Sequence, residues 1–346
     1  MPDMPLDAVS GDQLAAIVRQ LDRSPIFAMS LGSRELFHSN LLAWFVSHHP
    51  AVAEALCGTG TALTVHREKN HTDLLITADG RAPLVIENKV FSLPDEAQLE
   101  RISQALAAAS PQAVLLSLSP PGWPSRRWTA PSGQIWSWTS YTELADLLRP
   151  AVPAVAAGDR YAGETLARWL ELVRTLGQLV ELVGTPSADE PVVLPARLRA
   201  VLARARLDAP VQKMRCQQVR LALPLAGVEA GMTRGEGLVQ WFACDDAGLR
   251  RGWQLQGEQF RLAVVVPKHH PGHGDGPAHR AAREQEAAEN AVLFAFGEIP
   301  GAQPQPGARF LHYKPGFVYK YVKVPGITFG EAVRLGTEHA ARIGAL

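Results

Sequence analysis

The chain has 346 residues, 47% of them hydrophobic, and its 34 Lys and Arg residues are balanced by 34 Asp and Glu. That length predicts about two domains with real cores, and the zero net charge excludes a globally basic nucleic-acid binder, so any surface for DNA must come from local segregation of charge. Three widely spaced cysteines, Cys57, Cys216 and Cys244, exclude a disulfide framework and a zinc knuckle and fit a reducing cytoplasm.

The opening MPDMPLDAVSGDQ has no basic or apolar leader region, and no run of about 18 apolar residues occurs, so neither a secretion signal nor a membrane span is expected. Ser10-x-x-Gln13 reads as a capping box opening a helix to about Leu21. Ser33 is placed to cap a second helix running to His48 and stopping at Pro50, with Phe37, Leu41, Trp44 and Phe45 as its buried face. Glu35, His38 and Ser39 share one side of it. Glu35 is either an acid reaching a site or a first-turn carboxylate favoured by the helix dipole. Thr61 to Arg67 reads as a strand, and Glu68 to Thr72 turns the chain toward Asp73.

Asp73 heads the apolar run Leu74-Leu75-Ile76, and after Asp79-Gly80 a second run, Leu84-Val85-Ile86, ends in Glu87-Asn88-Lys89. Two such runs joined by an Asp-Gly turn predict antiparallel strands. Side chains two apart share a face, so Glu87 and Lys89 point one way and Asn88 the other. Ionic groups ending an apolar strand need partners. The alternative is an ordinary surface pair of Glu87 with Lys89; the partner that explains more is a divalent cation, Mg²⁺ or Mn²⁺, which carboxylate oxygens suit. Asp73 and Glu87 would hold it, with the Asn88 carbonyl as a further oxygen and Lys89 beside the attacking water. Ser92-Leu93-Pro94-Asp95 predicts a helix start capped by Ser92, with Gln98 and Arg101 on one side. Ala113 to Leu118 reads as a buried strand. Helix, three strands, helix and strand make an α/β sandwich.

Asp73, thirteen residues, then Glu87-x-Lys89, with Glu35-Leu36-Phe37-His38-Ser39-Asn40-Leu41-Leu42-Ala43-Trp44 upstream and Gln98-Leu99 downstream, resembles the PD-(D/E)XK nuclease superfamily. The likeness covers Arg34 to Ser119, about a quarter of the chain. It implies a restriction-endonuclease-like αβββαβ core, a mixed sheet flanked by helices, and an Mg²⁺-dependent phosphodiesterase acting on DNA. It also implies a metal-centre role for Glu35 and a place for Gln98 in the catalytic set, and it makes Ser39 and Arg101 candidate nucleic-acid contacts. Two positions depart from the pattern: residue 72 is Thr where the motif has Pro, and Ile102 stands where an exonuclease-like Gln-x-x-x-Tyr needs tyrosine, which favours endonucleolytic action.

Pro120 to Trp128 is a stiff loop whose tryptophans flank Arg126 and Arg127. It is suited to stacking on bases and tracking phosphates, or its tryptophans anchor it to the core. A short strand at Ile135 to Trp138, a short helix from Thr139 to Leu148 and a Pro/Ala/Gly-rich connector, Pro150 to Asp159, follow. The amphipathic helix Tyr161 to Val183 is suited to covering the sheet or to pairing two copies as a homodimer. These elements divide the chain into a nuclease-like domain over 1–185 and a C-terminal α+β domain over 190–346. Arginines 197, 199, 204, 206, 215 and 220 crowd one segment, and Arg197 with Arg204 falls two turns apart on a helix, a candidate phosphate stripe or a plain solvated face. Strands are expected over Leu238 to Cys244, Gln259 to Val266, Ala291 to Phe296 and Phe317 to Val324, with Lys320 outward. Helices are expected around Arg280 to Glu289 and from Thr328 to Ile343, the last opened by Thr328-x-x-Glu331. The histidines at 269, 270, 273 and 279 read as a polar loop. A nuclease-fold module that binds DNA or a partner protein without cleaving is the competing function.

Overall fold

A computed structural model describes residues 11–32, 34–59, 63–307, 309–313 and 315–344; the expected caps Ser10 and Ser33 and the strand start at Thr61 lie outside these. The chain divides into two units, residues 11–184 with 201–210, and residues 185–200 with 211–344. The segment 201–210 thus returns to the first unit, so the second is not one unbroken run after residue 190.

The first unit is α/β around a mixed sheet. It runs α1 (Gly11–Asp22), α2 (Pro25–Ser30), α3 (Arg34–His48), α4 (Pro50–Cys57), β1 (Leu63–Arg67), β2 (Leu74–Ala78), β3 (Leu84–Lys89), α5 (Glu96–Leu106), β4 (Gln112–Ser117), β5 (Arg127–Thr129), β6 (Ile135–Ser140), α6 (Tyr141–Leu148), α7 (Val152–Gly158) and α8 (Arg160–Leu179). The sheet order is β1-β2-β3-β4-β6-β5. Strands β1, β2 and β3 are antiparallel, β3, β4 and β6 parallel. Val85, Leu99, Ile102, Leu115 and Trp136 form a core between the sheet and α5, which holds β3 at the junction of the two halves.

Several local expectations change. Helix α3 ends at His48 as expected, but Pro50 also opens a further helix: it occupies the first turn of α4, where its missing N–H costs no bond. The face that α3 buries is His38, Ser39, Leu42, Phe45 and Val46, while Trp44 is 41% exposed and stacks on His48. Asp95, not Ser92, caps α5, accepting from the Ala97 amide at 2.9 Å. The expected connector at 150–159 contains a helix, α7, with Pro153 in its first turn. Helix α7 lies so close to α8 that a Cβ at Gly163 would sit 2.4 Å from that of Ala156. The Ser140–Glu143 capping box starts α6, and Asp159 caps α8, whose Leu166, Trp169, Leu170, Val173 and Leu176 are buried.

The described segment that follows holds α9 (Ala196–Ala203) and α10 (Asp208–Ala222). The arginine stripe is broken there: α9 stops at Ala203 and Arg206 adopts φ 57°, so Arg204 is not on the helix that carries Arg197. Arg215 is fully buried, its guanidinium bonded to the carbonyls of Pro191 and Val192 and 3.6 Å from Glu190. The second unit is built on an antiparallel sheet, β7 (Glu229–Thr233), β8 (Glu236–Cys244), β9 (Arg250–Gln256), β10 (Gln259–Val265), β11 (Gln303–Pro304), β12 (Leu311–Tyr313) and β13 (Phe317–Lys323), in the order β11-β13-β10-β9-β8-β7 with β12 also on β13. Helices α10, α11 (Pro277–Glu289) and α12 (Phe329–Gly344) contribute Val219, Ala287 and Leu335 to a core shared with Trp253, Phe260 and Leu262 of one sheet face. Residues 291–294 form a 3₁₀ turn rather than the expected strand. Lys320 is not outward: it shares the face of Val318 and Val322, its ammonium 4.4 Å from the Phe310 ring. The histidine loop is pinned by Arg283, which donates to the carbonyls of Gly272, Gly274 and Pro315. Among the described residues, no helix is long and apolar enough to cross a membrane.

Candidate active site

The sheet places the motif where its antiparallel half gives way to its parallel half. Pairing of β3 with β2 stops at Ile86 and Leu74, while pairing with β4 continues to Lys89 and Ser117. Just past the last β2 pair, the Asn88 amide donates to Asp73 Oδ2 at 2.7 Å. A side chain there takes over a bond that a strand partner makes elsewhere, and it fixes Asp73 beside the end of β3.

Alternation along β3 then separates two sets of groups. Glu87 and Lys89 lie on the α5 side: Glu87 Oε1 receives Lys89 Nζ at 2.8 Å and Gln98 Nε2 at 2.6 Å. The Glu87 side chain is 2% exposed and that of Lys89 12%, so this is no surface pair. Asn88 lies on the α3 side. Its Nδ2 donates to the Glu35 carbonyl and to Ser39 Oγ, both at 2.9 Å, and its Oδ1 accepts from the buried Tyr141 hydroxyl.

Electrostatically the α5 side is short of positive charge. Burial and the neighbouring negative Asp73 push the Glu87 carboxyl up to about 7, against the pull of Lys89. Burial also raises Asp73, with the Asn88 amide and Lys89 opposing. Glu87 Oε2 is buried and has no hydrogen-bond partner, and such an atom costs its full desolvation. An unsatisfied carboxylate oxygen next to a second acid is what a hard cation satisfies, so the residues fit one. Asp73 and Glu87 would hold it. Among the described residues no group of three or more His, Cys, Asp or Glu converges for a metal; two carboxylates completed by water and phosphate oxygens is the set that Mg²⁺ takes.

Glu35 spends one carboxylate oxygen on the turn after β3, and it stands close enough to Asp73 for its negative charge to raise that acid. Glu35 Oε1 accepts from the Phe91 amide at 3.0 Å and from the Ser92 amide and hydroxyl at 2.7 Å. Burial raises its carboxyl, but these bonds outweigh burial and leave it below its ordinary value. Glu35 therefore ties α3 to the turn after β3. Ser39 is 2% exposed and bonded to Asn88 and the Glu35 carbonyl, so it faces protein rather than a nucleic-acid strand.

Asp73, Gln98 and Arg101 open, with Glu68, His71, Thr72 and Ile102, onto a cleft of about 460 Å³. The expected loop contacts fall elsewhere. Trp123 and Trp128 stack on one another at 5.9 Å and pack on the α5 core. Arg126 pairs with Glu143 over the Trp138 ring. Arg127 lines a separate cleft at the amino ends of β4 and β6, the opposite end from Glu87. Arg197 and Arg204 are exposed, the first in the second unit and the second in the segment after α9.

Three participants escaped sequence reasoning. Tyr141 latches Asn88 from the start of α6, Ser92 holds Glu35, and Arg67 at the end of β1 attracts Asp73 while its buried Nε and Nη2 have no hydrogen-bond partner. The β1–β2 hairpin, in which Arg67 pairs with Leu74, brings it beside Asp73. His38, 1% exposed, accepts from Trp169 Nε1 at 3.0 Å; burial lowers it to about 4, against the attraction of Glu35. No family model, curated protein or solved structure matches this chain.

Proposed function

We propose that this chain is an Mg²⁺-dependent phosphodiesterase of the PD-(D/E)XK type, acting endonucleolytically on DNA, with β1 to β4, α3 and α5 as its restriction-endonuclease-like core. The observation that carries the reading is the buried cluster of Asp73, Glu87 and Lys89 with the unsatisfied Glu87 Oε2. A bound Mg²⁺ polarises a phosphate oxygen and lowers the pKa of coordinated water. The chain's own residues do the rest. Asp73 and Glu87 supply the anionic seat, and Gln98 holds Glu87 Oε1 so that Oε2 is left for the ion. Lys89 keeps an ammonium beside Glu87, where it counters charge building on the phosphate and steers the attacking water. Arg101, exposed on the cleft that Asp73 lines, is the phosphate contact this arrangement offers. Asn88, Tyr141 and Ser39 keep the strand in place from behind.

The test is cleavage of plasmid DNA with Mg²⁺ or Mn²⁺. Activity that depends on the metal and disappears in both Asp73→Ala and Lys89→Ala is the expected result, and activity surviving either change refutes the assignment. DNA binding without turnover in any divalent cation would move the chain to the non-cleaving module.

A further inference from the structure

The antiparallel sheet of the second unit carries a second assembly that the nuclease reading leaves unused. One face of this sheet packs on helices through Trp253, Phe260 and Leu262. The other face presents Gln254, Gln256 and Arg261, brought side by side by the pairing of Gln254 with Arg261 and of Gln256 with Gln259. Arg234, in the β7–β8 turn, lies 4.4 Å from the Tyr313 ring on β12. Four strands, β8, β9, β10 and β13, separate β7 from β12 in the sheet order. The sheet must therefore curl until its two edges meet, and this face is the inside of a cup.

Arg261 is at the bottom of that cup and 9% exposed. Nη1 donates to Gln254 at 2.9 Å and to Gln256 at 2.5 Å, and Nε and Nη2 donate to Gln259 at 3.0 and 2.6 Å. Among the described residues these acceptors are all neutral amides. Glu236 attracts the guanidinium from a distance, but the hydrogen bond it accepts comes from Gln256 Nε2 at 3.2 Å. A buried cation is costly unless an anion answers it, and here three glutamines orient the charge without cancelling it. Arg234 is near enough to repel Arg261, and both guanidiniums lie over rings of one aromatic cluster, Arg234 over Tyr313 and Arg261 over Tyr319, with Phe317 touching both rings.

The walls are aromatic. Phe317 makes edge contacts with Phe242, Tyr313 and Tyr319 at 5.6 to 6.4 Å between ring centres. Arg261 lies 4.9 Å from the Tyr319 ring and Arg250 lies 5.4 Å from that of Phe242. Gly252 lets β8 come close: a Cβ there would meet the Trp241 carbonyl at 2.0 Å and the Phe242 ring at 2.6 Å. Flat rings interleaved with arginines accept a stacked base and its phosphate. We propose that this cup is a nucleotide-binding site, taking a nucleobase against the Phe242, Phe317 and Tyr313 rings and a phosphate toward Arg234 and Arg261, the latter held in place by the Tyr319 ring. The nucleotide is either free or the end of a single strand. The proposal does not depend on the nuclease reading.

Binding of deoxynucleoside 5′-monophosphates and of a fluorescent 5′-phosphorylated single-stranded oligonucleotide to the full chain, in EDTA so that no metal-dependent cleavage intervenes, tests it. Saturable binding that Tyr319→Ala and Arg234→Ala each weaken about tenfold, and that Arg261→Met abolishes, is expected. Monophosphates competing fully with the oligonucleotide identify a free-nucleotide site, whereas a much tighter oligonucleotide identifies a strand end. No saturable binding of either probe, or binding unchanged in Tyr319→Ala and Arg234→Ala, overturns the proposal. Should Arg261→Met fail to fold by circular dichroism, the other two variants decide, since Tyr319 is only part-buried and Arg234 exposed, and neither belongs to the core of this sheet.

Discussion

Glu87 and Arg215 are both buried ions, one in each unit, and their surroundings differ in kind. Arg215 is enclosed by the carbonyls of Pro191 and Val192 and faced by Glu190. Glu87 has one oxygen held twice, by Lys89 and Gln98, and the other held by nothing. A buried charge answered by a counter-ion as well as by hydrogen bonds belongs to the architecture, whereas one left half-served, beside another acid, is a place for something else to bind. Burial alone does not separate the two cases; whether every polar atom of the charged group has found a partner does.

The sharpest break in that comparison is catalytic. Asp73→Ala or Lys89→Ala should lower metal-dependent plasmid cleavage by about 10³-fold; Asp73→Ala, which relieves Glu87 of a neighbouring negative charge, should also keep the urea midpoint of the first unit close to that of the parent. Arg215→Met should do the reverse, leaving Glu190 buried without its counter-ion and costing about 3–5 kcal/mol in urea unfolding of the second unit; a cost under 1 kcal/mol would make that pair as dispensable as a surface bridge. His38 supplies a third buried titratable group, kept neutral. With its native pKa near 4 and its unfolded value near 6.5, the folded protein binds fewer protons, so the contribution from neutrality is complete above pH 6.5 and is lost as pH falls toward 4. The loss should approach about 3 kcal/mol, and a His38→Gln variant should lack that part of the acid slope. The smallest effect concerns Glu87→Gln. Removing a raised carboxylate should stabilise the metal-free protein by about 1 kcal/mol and abolish the rise in Tm that the proposed metal seat predicts for the parent in Mg²⁺; a retained rise would place the ion elsewhere.

The β2–β3 hairpin was readable because its signals are local: an Asp-Gly turn, two apolar runs and a period of two. The facing of Glu87 and Lys89 away from Asn88 followed from the same period. What lay beyond reach was long-range. Ser92 looks like a helix cap in isolation, yet Glu35, distant in the chain, claims its hydroxyl and Asp95 caps instead. The stripe of arginines reads as one helix face until the backbone turns over at Arg206 and Arg215 is drawn inside. β9, with its glycine and polar residues, has no apolar run to announce it; its glutamines and Gly252 make sense only once Arg261 and Phe242 lie across from them. Trp44 was placed in the core by its spacing, but α3 turns a neighbouring arc inward because His38 and Ser39 have partners there.

The latch on Asn88 has a further consequence. In a strand, sliding by a single residue exchanges its two faces, and in β3 that would aim the carboxylate at α3 and the amide at the cleft. The amide bond to Asp73 on one edge and the Tyr141 hydroxyl behind act as detents against such a slip. Insertions in the Asp79–Gly80 hairpin should accordingly be tolerated in pairs and not singly, because only an even change in length returns every side chain to its own side.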